Sequence, residues 1–212
     1  LIATGVSHPA DTFAIVSKPG DSADIKSLKG KKIVGPKGTV LHQLLVAALA
    51  KNGMSIKDVD FISMDQPSAL AALLSGSADA ALLAASGVIK AEKSGAKVIT
   101  TAKDIVNVNL VTTVSAQFAD KYPEALDKVV KVQREALAWI EKHPDEAIAM
   151  GAKEHGIGIS DAKKLASWSN YYNTLTDDDI KGLEADQNFL YDNKMMERKV
   201  DVKSLVLPSA MK

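Results

Sequence analysis

Ile33-Val34-Gly35-Pro36-Lys37-Gly38-Thr39-Val40-Leu41-His42 reads as a short strand, a glycine-rich break and the first turn of a helix. Gly35-Pro36 stops the strand. Leu41, Leu44, Leu45, Ala48 and Leu49 then recur at helical spacing until Asn52-Gly53 closes the helix. Strand, tight turn and helix in succession form the unit of a layered α/β fold. The flanking sequence repeats that unit. Upstream, residues 13–16 read as a strand ended by Pro19-Gly20, and Ser27-Leu28-Lys29-Gly30-Lys31-Lys32 as a turn. Downstream, residues 59–64 are a strand, Pro67 opens a helix over 68–74, and residues 80–84 are apolar throughout, as a central strand is. A short helix over 88–94, a strand over 98–100 and the β-branched run LVTTV at 110–114 follow.

Beyond Ser115 the pattern becomes helical. Pro123 opens a long helix with Leu126, Val129, Val130, Ala136, Leu137 and Ile140 on one side, stopping near His143-Pro144. Asp145 is expected to cap a short helix, Ser160 another running to Trp168, and Thr176 a third running to Leu190. These helices have no sheet of their own to cover. Their strands are expected from residues 1–12, from the tail 200–207, or from sequence outside this chain, and Leu137 and Ile140 are expected to be partly uncovered.

Composition narrows the function. Across 212 residues, 46% hydrophobic and 25% charged residues are globular values and exclude general disorder. Lys+Arg equals Asp+Glu at 26 each, without the basic excess a nucleic-acid binder needs. No cysteine is present, so disulfides, thiolate metal sites and Cys nucleophiles are excluded. The most apolar stretch, 69–87, carries Ser75, Gly76, Ser77 and Asp79 at its middle and is no membrane span. The chain opens on Leu1-Ile2-Ala3 with no charged segment before it, so a processed chain or a fragment is expected, with no signal segment in it.

Enzymatic motifs are thin. His8, His42, His143 and His155 show no HxxxH or HxH spacing, which argues against a zinc site. Ser7, His8 and Asp11 read as a polar loop, because triads assemble from distant segments. Asp177-Asp178-Asp179 after Thr176 read as the acidic first turn of a helix. Trp139 and Trp168 read as core positions. A Walker loop needs Gly-Lys-Ser/Thr running into its helix, whereas here Lys37 precedes Gly38. The same segment still suits an anion. Gly38 lets the backbone approach a ligand, the first-turn amides at Thr39, Val40 and Leu41 are free, and His42 follows on that turn. The alternative is that Thr39 caps the helix. Asp65-Gln66 and Ala85-Ser86-Gly87 also follow strands, and ligands of open α/β sheets bind beyond such carboxyl ends.

Ser27-Leu28-Lys29-Gly30-Lys31-Lys32-Ile33, Gly38-Thr39 with His42, and Ala69…Leu74-Ser75-Gly76-Ser77-Ala78-Asp79-Ala80 together resemble extracytoplasmic solute-binding proteins of ABC importers. The branch is the nitrate/sulfonate/taurine and thiamine-precursor binders. The resemblance continues through Ala138-Trp139-Ile140, Pro144-Asp145-Glu146-Ala147 and Leu175-Thr176-Asp177-Asp178, covering nearly the whole chain. It implies a periplasmic-binding-protein type II-like α/β fold, two lobes with a ligand cleft between them. Residues 14–108 would be the second lobe, with a mostly parallel sheet; 1–13 and 109–212 would be the rest of a mainly helical first lobe, incomplete at its N-terminus.

The resemblance further implies that Gly38, Thr39, Val40 and His42 face the ligand's acidic group, and that Asp65, Gln66, Ala85 and Ser86 line the other strand-end loops. Asn109, which also reads as a hinge residue, and Tyr171, which with Tyr172 also reads as amphipathic packing, are further candidates. Sulfonate binders often carry a tryptophan and a proline near the last loop, where this chain has Ala84-Ala85-Ser86-Gly87. Arg134 and Arg198 are its only arginines, so the second lobe offers no guanidinium clamp, and both features point away from a simple alkanesulfonate. The expected function is capture of a small anionic or zwitterionic, nitrogen- or sulfur-containing solute for a membrane permease, without cofactor, metal or turnover. The expected location is extracytoplasmic, in a periplasm or lipid-anchored at a cell surface. The alternatives are an enzyme resembling the thiamine-pyrimidine synthases and a sensory ligand-binding domain.

Overall fold

The apolar run Ala80–Ala84 is the middle strand of a five-stranded sheet. A computed structural model describes all of residues 1–212 and divides them into two compact units, Ala10–Val108 and a second formed by Leu1–Pro9 with Asn109–Lys212. In chain order the strands and helices are β1 (Ile2–Ser7), β2 (Phe13–Ser17), β3 (Lys32–Gly35), α1 (Val40–Lys51), β4 (Asp60–Ser63), α2 (Gln66–Leu74), β5 (Ala80–Ala84), α3 (Ser86–Lys93), β6 (Lys97–Thr101) and β7 (Leu110–Thr113). Helices α4 (Ala116–Lys121), α5 (Pro123–Lys142), α6 (Pro144–His155), α7 (Ile159–Ser167) and α8 (Asp177–Asp192) complete the chain.

In the Ala10–Val108 unit the strand order is β4-β3-β5-β2-β6. β3 pairs in parallel with β4 and β5, while β2 is antiparallel to both β5 and β6. Four strands therefore share one direction and β2 opposes them, so the sheet is mixed, with half of its ladders antiparallel. Phe13, placed by the sequence reading ahead of this unit, already pairs with Ala84 in the β2–β5 ladder; the unit starts at Ala10. Alternation along β5 explains the layers. Ala80 and Leu82 meet Leu41, Leu44, Leu45 and Ala48 of α1 on one face, and Ala81 and Leu83 meet Ala69, Leu73, Val88 and Ala91 of α2 and α3 on the other. A strand covered on both faces has to be apolar throughout.

In the second unit, β1 pairs with β7 in antiparallel fashion, Ile2 opposite Thr113 and Ser7 opposite Leu110. The tail joins the free side of β1 through an Ile2–Val206 bridge and a bond from Leu207 N–H to Ile2 O of 2.9 Å. Two of the expected sources of strands thus contribute. Leu126 and Val130 of α5 pack on Ala3, and Leu175 and Ala210 pack on Ile2. Leu137 and Ile140 are half-buried, while Val132 of α5 stands 62% exposed.

Some local readings change. Helix α6 starts at Pro144 with His143 as its cap residue, because proline at the first position sets φ for the helix, and Asp145 lies in the first turn instead of capping it. Extended Gly158 precedes α7, so Ser160 is already helical. The tryptophans are half-buried and peripheral: Trp139 stacks on His143 at 4.9 Å and Trp168 lies under the Lys164 ammonium at 5.2 Å. At α8 the reading holds. Thr176 accepts from Asp179 N–H, and the Asp179 carboxylate accepts from Thr176 N–H in return.

Candidate functional site

β4, β3 and β5 lie side by side and run the same way, so the loops at their carboxyl ends share one edge of the sheet. Gly38, Thr39, Val40 and His42 follow β3, Asp65 and Gln66 follow β4, and Ala85 and Ser86 follow β5. The first two loops are tied together: Met64 N–H donates to Gly35 O at 3.0 Å and Lys37 N–H to Ser63 Oγ at 3.4 Å.

The three helix starts on this edge differ in what satisfies them. At α1, Thr39 occupies the cap position with extended φ and ψ, yet its hydroxyl donates backwards to Pro36 O at 2.9 Å and accepts nothing from the first turn. The first bond within the helix runs from Gln43 N–H to Thr39 O, leaving the amides of Val40, Leu41 and His42 without a helical partner. Thr39 stands at the cap without capping. At α2, Asp65 does cap, accepting from Ser68 N–H at 2.8 Å, and those bonds hold its carboxyl below the ordinary range. Gln66 Oε1 accepts from Ala84 N–H at 2.8 Å and so pins the end of β5. At α3, Ala85 takes φ 51 and ψ −126, a conformation rarely adopted by a residue with a Cβ. It is fixed by Ala85 N–H to Thr12 O and Val88 N–H to Ala85 O, both 3.1 Å. This turn starts α3 at Ser86, two residues before the expected position, with no side-chain cap.

His42 points inward. The residue is 6% exposed; its ring stacks on Phe61 at 4.9 Å with 9° between planes and accepts Gly38 N–H at Nδ1 over 3.3 Å. Burial, and then the Lys37 ammonium, push its pKa below 6.5. The edge therefore offers open amides at α1 and α3 for an oxyanion and an ionised carboxylate at α2 for a cation.

Asn109 and Tyr171 belong to the second unit. Asn109 immediately precedes β7. Tyr171 bridges to Ser7 and lines a cavity of about 330 Å³ with Ile140, Pro144, His155 and Ser169. Sequence reading missed a cluster beside it. His8 Nε2 lies 2.7 Å from Asp179 Oδ1, and its ring stacks on Tyr172 at 3.9 Å. Burial, then the Asp179 charge, push the Tyr172 phenol up to about 12. Gly5 lies directly beneath that ring, where a Cβ would collide with Tyr172. No local signal marks this group, since His8 and Asp179 are 171 residues apart.

The family model for NMT1/THI5-like proteins matches residues 1–147. The chain belongs to the NMT1/THI5-like family. This NMT1/THI5-like chain is 28% identical over 196 residues to a Bacillus subtilis (strain 168) protein named as an aliphatic sulfonates-binding protein, covering 91% of the chain and 59% of that relative. It is 27% identical over 189 residues to the taurine-binding periplasmic protein of Escherichia coli (strain K12), covering 80% of the chain and 59% of that protein. The chain thus spans less than two thirds of the length of either. Among solved structures, the periplasmic aliphatic sulphonate binding protein SsuA of Escherichia coli superposes with a TM-score of 0.84 at 19% identity, covering 99% of this chain and 74% of that one. The expected family resemblance and the periplasmic-binding-protein fold class hold. No helix of this family member is long and apolar enough to cross a membrane.

Proposed function

We propose that this chain is the solute-capturing component of an ABC importer, acting outside the cytoplasm against a membrane permease, and that it binds a small sulfur- or nitrogen-containing acid bearing an amino group. One observation carries the reading: the uncapped start of α1 and the ionised Asp65 cap of α2 follow adjacent, hydrogen-bonded strands. Open amides take an oxyanion through charge-assisted hydrogen bonds, which suits a unit lacking arginine, and Asp65 takes an ammonium. The names of the relatives, sulfonate- and taurine-binding, support the same solute chemistry. The chain has no cysteine, and of its two close His–carboxylate pairs, His8 with Asp179 has the carboxylate committed to the α8 capping box and His143 with Glu146 is an exposed contact in the first turn of α6, which supports binding without turnover.

Mass spectrometry of the small molecule that co-purifies, followed by calorimetry with taurine, propanesulfonate and ethanolamine, tests this. The expected result is saturable binding with taurine preferred and recovered unchanged. Preference for ethanolamine, or recovery of a chemically altered solute, would refute it.

A further inference from the structure

We infer that His42 is a positioning residue: its neutral imidazole holds the Lys37–Gly38 peptide of the loop that leads into the open amides of α1, so that proton uptake by His42 weakens anion binding there. The inference rests on the α1 reading above and adds its regulation. Three observations support it. Gly38 sits at φ +76 with open space where a Cβ would be, so the glycine serves the backbone angle and not close packing. Its N–H is turned away from the loop's outer side onto Nδ1 of His42, which fixes the ring proton on Nε2. The ring itself cannot easily move, because it is buried and stacked on Phe61.

The groups around the ring make protonation unfavourable. Lys37 of the loop contributes a like charge. On β4, Asp60 neighbours Phe61 in sequence and so points to the opposite face of the sheet. Helix α1 carries no acid, and its one charged side chain, Lys51, lies in the last turn. A proton on Nδ1 would set two donors, the ring N–H and Gly38 N–H, against each other. The ring is held in the core and Gly38 is exposed, so the loop is the part that shifts. A histidine contacting the ligand directly would act in the opposite sense, since its charge would attract the anion.

The test is taurine affinity by calorimetry from pH 8 to pH 5, with the amide resonance of Gly38 and the ring resonances of His42 followed in the ligand-free protein. Affinity is expected to fall by about tenfold per pH unit below the His42 midpoint, the limit for one linked proton. The Gly38 amide is expected to shift with the same midpoint, below 6.5. His42→Asn, which keeps an acceptor where Nδ1 stands but does not titrate, is expected to bind with no such pH step. His42→Phe, which keeps a ring without the acceptor, is expected to bind at least tenfold more weakly at pH 8. Affinity that rises on acidification, or a Gly38 amide that ignores the His42 titration, would overturn the inference. If taurine binds at no pH, the solute assignment fails, and the Gly38 titration alone decides the role of His42.

Discussion

Replacing Thr39 by aspartate puts a carboxylate where the proposed oxyanion sits. Its effects on folding and on binding separate cleanly. Thr39 already has extended cap geometry, and its hydroxyl bonds only to Pro36 O. Aspartate is a good cap residue, so it should accept from the first-turn amides and gain about 1 kcal/mol of helix stability. Losing the bond to Pro36 costs about 1 kcal/mol, and the two changes roughly cancel. Binding is another matter. Two unit charges about 4 Å apart repel by about 4 kcal/mol at an effective dielectric constant of about 20. Allowing for solvent screening and displacement of the solute, at least ~2 kcal/mol should remain, or about 30-fold in Kd. Thermal melts and calorimetry with taurine on the parent, Thr39→Asp and Thr39→Ser measure both quantities. Thr39→Ser keeps the hydroxyl and should stay within about twofold of the parent. Parent-like affinity in Thr39→Asp would show that the α1 amides do not hold the acidic group.

Asp65→Asn retains a capping oxygen and removes the charge; calorimetry should show weaker binding of taurine and unchanged binding of propanesulfonate, which has no amino group. Leu82, fully buried on the α1 side of the central strand, should cost about 3 kcal/mol in urea unfolding when replaced by alanine. Stability against pH should fall in two stages. The His42 pKa is lowered on folding, so its contribution is complete above 6.5 and declines as pH drops below that value, and His42→Asn should abolish this stage. Asp58, Asp65, Asp79 and Asp179 also have lowered values, so their contribution is present at neutral pH and disappears as pH falls below about 4. Urea titrations at intervals from pH 8 to pH 3 resolve both stages, and a flat profile between pH 7 and pH 5 would contradict the first.

What could be read from the sequence depended on how local its cause was. Residues 80–84 were readable to the residue because a strand buried on both faces leaves no polar position inside it. The opposed direction of β2 was not, because antiparallel pairing with β5 and β6 depends on partners more than sixty residues away. Residues 2–7 have a similar problem: Leu1-Ile2-Ala3 shows only an apolar run, and its strand partner lies at 110–113. The turn at Ala85 left no mark either, since an alanine does not announce a positive φ as a glycine would.

The site divides along the same line. A strand followed by Gly38 and a helix start is a local pattern, and it is enough to place that loop at the carboxyl edge of the sheet. The chemical sign of each helix start was not local. Asp65 and Thr39 are both acceptable cap residues by type, yet only Asp65 caps, because the Thr39 hydroxyl is drawn back to Pro36 O. That difference leaves one helix start open to an anion and fills its neighbour with a fixed negative charge. A simple anion would gain at α1 and lose at α2. A solute carrying both charges, spaced to meet both loops, gains at each, and this asymmetry is the physical reason for preferring an amino acid-like sulfonate over an alkanesulfonate.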